Sequence, residues 1–79
     1  MNNQRRKALK KIRESLEEAS SELEVLRDEE QEYIDNMPEN LQSGDKATTA
    51  EDAVISMDNA ISSLSEACSE IDEVVGGDR

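Results

Sequence analysis

Between Ala50 and Val75 apolar residues return at helical spacing: Ala50, Ala53, Val54, Met57, Ala60, Ile61, Leu64, Ala67, Cys68, Ile71, Val74 and Val75. Two stripes repeat every seven residues, one of Ala53, Ala60, Ala67 and Val74, the other of Val54, Ile61, Cys68 and Val75. Met57, Leu64 and Ile71 lie between them. A lone helix cannot leave so wide an apolar face in water, so this segment requires a partner.

Upstream, Leu9, Ile12, Leu16, Ala19, Leu23, Leu26, Tyr33 and Met37 alternate spacings of three and four, broken only by Glu30. That pattern predicts a first helix over about 3–35 with one narrow seam, flanked by polar positions such as Arg13, Ser20 and Arg27. Pro38 forbids simple continuation because it lacks an N–H and clashes with the preceding turn. Asn36-Met37-Pro38-Glu39 has the form of a capping box, which predicts one short turn over 37–41 inside a loop of about 36–45. A second helix follows over about 46–75, closed by Gly76-Gly77. The whole chain, 1–79, reads as a single domain.

Two helices joined by a short loop return antiparallel. With the alanine stripe as the seam, Leu9 meets Val74, Ile12 meets Ile71, Leu16 meets Ala67, Leu23 meets Ala60, Leu26 meets Met57 and Tyr33 meets Ala50. The facing numbers then add to 83, and most layers set a large residue against a small one. Val54, Ile61, Cys68 and Val75 are left over, and they are assigned to a dimer interface. The expected fold is all-α: an antiparallel two-helix coiled-coil hairpin that dimerises into a four-helix bundle.

Composition sharpens this picture. Phe, Trp and His are absent and Tyr33 is the only aromatic residue, so a compact core is thin and long paired helices are the economical solution. No apolar run approaches the roughly 20 residues of a membrane span, and no signal-peptide core is present. One cysteine excludes an internal disulfide and fits a reducing cytoplasm; on its apolar stripe Cys68 reads as a small buried hydrophobe. The net charge of −11 is uneven. Residues 1–13 hold Arg5, Arg6, Lys7, Lys10, Lys11 and Arg13 without an acid, whereas from Glu14 onward twenty acids face only Arg27, Lys46 and Arg79. The antiparallel return sets the basic start beside Glu66, Glu70, Asp72 and Glu73, so the basic run serves the hairpin rather than nucleic acid.

Catalytic chemistry finds no foothold. With no histidine there is no Glu-x-x-His metal pattern; no glycine-rich phosphate loop and no CxxC spacing occur. No cofactor and no metal are expected, and the chain reads as a non-enzyme. What stands out is Asp28, Glu29, Glu30, Glu32 and Asp35 within eight residues, with Glu51 and Asp52 brought alongside by the return. Asp28, Glu29, Glu32, Asp35, Glu51 and Asp52 form the candidate partner-binding acidic patch. Over paired helices on the order of 45 Å long, residues 14–79 place about one net negative charge per ~2.6 Å, against one per ~1.7 Å in duplex DNA. Mimicry of a nucleic-acid backbone is physically plausible on that density.

The stretch Tyr33-Ile34-Asp35-Asn36-Met37-Pro38-Glu39-Asn40-Leu41-Gln42-Ser43 resembles a phrase in small acidic coiled-coil proteins encoded by phages and prophages of Firmicutes. The likeness extends in outline to a charged first helix and an Ala/Ile/Leu heptad helix, and departs at Gly44-Asp45-Lys46-Ala47. It implies a phage setting and supplies no active residues. The resulting expectation is a homodimeric, phage-type binding protein that blocks a basic surface on a host protein, such as a defence nuclease, in an anti-CRISPR-like manner. The alternative is a structural or adaptor hairpin whose apolar stripe in the second helix binds a partner helix. Neither involves direct contact with nucleic acid or a membrane.

Overall fold

A computed structural model describes residues 1–76 of the chain. Helix α1 spans Asn3–Asp35, a single 3-10 turn covers Glu39–Leu41, and helix α2 spans Asp45–Gly76; no strand occurs among the described residues. The two long helices pack against each other as an antiparallel hairpin whose Cα extents are 59 × 14 × 14 Å. Of the glycine pair expected to close the second helix, Gly76 is its last residue and Gly77 lies outside the described residues.

Local chemistry sets the helix ends. Asn2 caps α1, its side-chain oxygen accepting the Arg5 backbone N–H at 2.8 Å, which satisfies one of the donors a helix start leaves free. At the other end Asn36 N–H donates to the Glu32 carbonyl and Met37 N–H to that of Ile34, and Pro38 then stops the ladder. Leu41 N–H returns to the Pro38 carbonyl at 2.9 Å and Gly44 N–H to that of Leu41 at 3.0 Å, folding the loop back on itself. Gln42 braces it by donating from Nε2 to the Met37 carbonyl. The Gly44 carbonyl accepts both the backbone N–H and the hydroxyl of Thr48, which begins α2.

The seam differs from the expected one by a rotation of both helices about their axes. In α2 the inward positions are Ala47, Ala50, Val54, Met57, Ile61, Leu64, Cys68, Ile71 and Val75; Ala47, Ala50 and Cys68 are buried and the rest partly so. In α1 they are Arg6, Leu9, Arg13, Leu16, Ser20, Leu23, Arg27, Glu30 and Ile34, with Ile34 buried. The stripe of Val54, Ile61, Cys68 and Val75, assigned from sequence to a second chain, is therefore turned toward α1 within one chain, and Cys68 keeps only 8% of its surface there. Ala53, Ala60 and Ala67 of the alanine stripe are partly buried along the edge of this seam, while Val74 at its end is 44% exposed. Ile12, Leu26 and Tyr33, expected in the seam, stand outside it.

Two physical features favour this rotation. The column Ala47, Val54, Ile61, Cys68 and Val75 is apolar without a break and carries three β-branched side chains, against Val74 alone in the alanine stripe, so it is the better stripe to bury. Opposite it, Arg6, Arg13 and Arg27 supply long aliphatic stems that cover apolar surface while their guanidinium groups reach outward. Arg13 holds Asp72 with two prongs, Nε to Oδ1 at 2.6 Å and Nη2 to Oδ2 at 2.9 Å, and also bonds Glu17 one turn on. Arg27 donates to Asp58 from Nη1 at 2.9 Å. Both cross-links join residues whose numbers add to 85, within two of the expected 83, so the helices face each other at nearly the expected axial level.

Candidate functional site

The rotation gives the hairpin two unlike flanks. On one lie the Arg13–Asp72 and Arg27–Asp58 links, continued by Lys10, Glu17, Glu24 and Gln31 of α1 and Glu51 and Ser65 of α2, all at positions beside the seam column of Arg13 and Val54. The other flank carries Ile12, Ala19, Leu26 and Tyr33 of α1 with Ala53, Ala60, Ala67 and Val74 of α2. Shallow grooves run along this second flank, one lined by Leu26, Glu29, Glu30, Tyr33 and Met57 and the next by Glu30, Tyr33, Thr49, Ala50 and Ala53. Glu30 sits between them, partly buried among the small residues that let its carboxylate reach water.

All six residues of the acidic patch are exposed, and the hairpin divides them. Helical spacing sets Asp28, Glu32 and Asp35 on the outer and ion-pair side of α1, and Glu51 and Asp52 on the corresponding side of α2. Glu29 stands on the other side, at the edge of the apolar flank. Asp28 is held by Arg27 at 3.1 Å and Asp35 accepts a bond from Gln31 Nε2 at 3.0 Å. Asp72 holds the Arg13 guanidinium above its ordinary pKa, chiefly by hydrogen bonding. Hydrogen bonds that Arg27 donates to Asp58 and then to Asp28 do the same for its own guanidinium. Both arginines are thus committed to internal partners.

The two ends are electrostatically different. Residues 23–57, which make the loop half, hold ten acids and only Arg27 and Lys46 as bases; residues 1–22 and 58–76 hold nine acids and six bases. In the far half the basic start of α1 lies beside the acidic end of α2 and the charges link across the seam. In the loop half the acidic end of α1, with Glu24, Asp28, Glu29, Glu30, Glu32 and Asp35, meets an α2 start that is itself acidic, with Asp45, Glu51 and Asp52. The α1 charges also oppose its own dipole: no acid stands in its first turn and no base in its last, although acids near an N-terminus and bases near a C-terminus are each favoured by about 0.3–1 kcal/mol. Charge density is lower than expected because the hairpin is longer: over 59 Å the −17 of residues 14–79 averages one per ~3.5 Å, about half the duplex DNA value, and the whole-chain −11 averages one per ~5.4 Å. The loop half alone, roughly 30 Å long, reaches one per ~3.7 Å.

Among the described residues no group of His, Cys, Asp or Glu is placed to hold a metal ion. No described helix is long and apolar enough to cross a membrane. Comparison with protein-family models, with curated proteins and with solved structures returned no match. The acidic end and the apolar flank are therefore read from this chain alone. Sequence reasoning identified the first by composition. It missed the second because Ile12, Leu26 and Tyr33 fit a seam equally well.

Proposed function

We propose that this chain is a non-enzymatic binding protein that works as a four-helix-bundle dimer and uses its acidic loop end to block a basic surface on a partner protein. The observation that carries this reading is the uncompensated charge of the loop half, where acids from both helices meet and the only two bases are Arg27, already paired, and Lys46. Such an arrangement costs the free hairpin stability through self-repulsion and through the α1 dipole. A basic partner surface recovers that cost. The phage-like loop phrase makes a host defence nuclease the target class to test first, with the acidic end standing in for a short stretch of nucleic-acid backbone rather than a full duplex.

The competing adaptor reading, in which charge serves solubility alone, rests on the exposed apolar flank. Ionic strength separates the two. Capture from a bacterial lysate by the immobilised protein, followed by elution with increasing salt and mass spectrometry, should release a basic protein over the range in which the Debye length falls from about 8 Å to about 3 Å. A partner retained through that range and released only by detergent or denaturant supports the adaptor instead.

A further inference from the structure

Ile12, Leu26 and Tyr33 keep 50%, 53% and 47% of their surface exposed on one flank, beside Val74, with Ala19, Ala53, Ala60 and Ala67 filling the intervals. These large side chains are aligned at heptad spacing along a groove floored by alanine, an arrangement that a solvated surface does not require. We propose that this flank binds a second copy of the hairpin face to face, with the two loops at opposite ends of the dimer. This deepens the dimer reading above by naming its surface and orientation.

Three features select a second copy in that orientation. The first is fit. When the α1 helices run antiparallel across a two-fold axis, Ile12 of one copy meets Tyr33 of the other, and Ala19 meets Leu26. The facing numbers add to 45, which places the axis between residues 22 and 23, the middle of the limb from Asn3 to Gln42. The register that brings these four residues together in pairs, Ala19 under Leu26 and Ile12 against Tyr33, therefore also overlaps the hairpins along their full length. The second is area. A face 59 Å long and 14 Å wide offers on the order of 800 Å² per copy, the amount a specific interface of standard size buries on each partner.

The third is charge. Stacking with loops together would set two strongly acidic halves side by side. Stacking with loops apart sets each acidic half against the less acidic half, whose nine acids are offset by the six N-terminal bases. Of the acidic patch only Glu29 borders the contact. Asp28, Glu32, Asp35, Glu51 and Asp52 stay open at both ends, and the dimer presents two acidic sites pointing apart.

The test uses the intact chain at micromolar concentration. Sedimentation equilibrium should give twice the 8.8 kDa of one chain. Leu26→Glu should raise the dimer dissociation constant by on the order of 100-fold. Val25→Glu and Ile55→Glu, whose parent side chains are each 57% exposed but lie off this flank, should leave it unchanged. Orientation is read by pulsed electron paramagnetic resonance on Asn40→Cys in a Cys68→Ala background. Loops apart should give a label separation on the order of 50–60 Å along the hairpin, and loops together roughly 10–20 Å, one or two helix spacings.

A fully helical monomer of the wild-type chain overturns both the dimer and this surface. A dimer indifferent to Leu26→Glu, or one with the short separation, overturns the surface or the orientation while leaving the dimer itself standing. Should Leu26→Glu lose its helical signal, the label separation in the otherwise intact dimer still decides the matter.

Discussion

Reversing Asp28, Glu29, Glu32, Glu51 and Asp52 to lysine together should abolish capture of the partner while leaving the hairpin folded. If each exposed charge contributes roughly 0.5–1 kcal/mol to a complementary contact, five reversals remove about 3–5 kcal/mol, or roughly 100- to 4,000-fold in affinity. The fold should tolerate the change because all five side chains are exposed. Among the described residues the bond that these side chains make is the Asp28–Arg27 contact within α1. Lysines at positions 28, 29 and 32 also suit the C-terminal part of α1 better than the native acids, so the variant should melt at or above the wild-type temperature. Intact folding with retained capture would assign the charge to solubility and move the working surface to the apolar flank.

Ile61→Glu should unfold the chain. Ile61 lies on the inward stripe of α2 between Val54 and Cys68 and is partly buried within a single hairpin. A carboxylate there loses the apolar burial and is drawn out of water into the seam, a cost of about 3–4 kcal/mol. A scaffold of this size has only about 3–5 kcal/mol to lose, so the far-ultraviolet helix signal should collapse at ambient temperature. Ile55→Glu, on the outer face, should keep it. A folded but monomeric Ile61→Glu would instead return this residue to an interface between chains.

Much of the architecture was legible in the pattern of residues. Pro38 and the Asn36 region marked the loop. The seven-residue repeat marked α2, and the need for small residues opposite large ones brought the axial level close to that observed. The rotation of α1 was not legible, because two of its columns qualify. Leu9, Leu16 and Leu23 belong to any seam. Their second column is either Ile12, Ala19, Leu26 and Tyr33, or Arg6, Arg13, Ser20, Arg27 and Ile34. Hydropathy favours the first, since it counts arginine as purely polar. The structure uses the second, because an arginine stem covers an apolar neighbour while its head finds a carboxylate. The signal available in sequence was Asp58 and Asp72, spaced by the same fourteen residues as Arg13 and Arg27.

The candidate site shows the same division. That the loop end is acidic follows from the order of charges once an antiparallel return is accepted. Which acids share a flank depends on rotation, and this separates Glu29 from Asp28, Glu32 and Asp35. The open apolar flank is the complement of the seam, so it came into view only once the seam was known.

Both surfaces take their positions from the rotation that turns Cys68 inward, and the single native thiol reports on it directly. Reaction of the unmodified chain with a soluble disulfide reagent should be slow, and its rate should not change on dilution or in the Leu26→Glu background as long as the helix signal stays complete. Protection then comes from the hairpin itself. A thiol that becomes as reactive as free cysteine when helical dimers dissociate into helical monomers would place Cys68 between chains and contradict the seam described here.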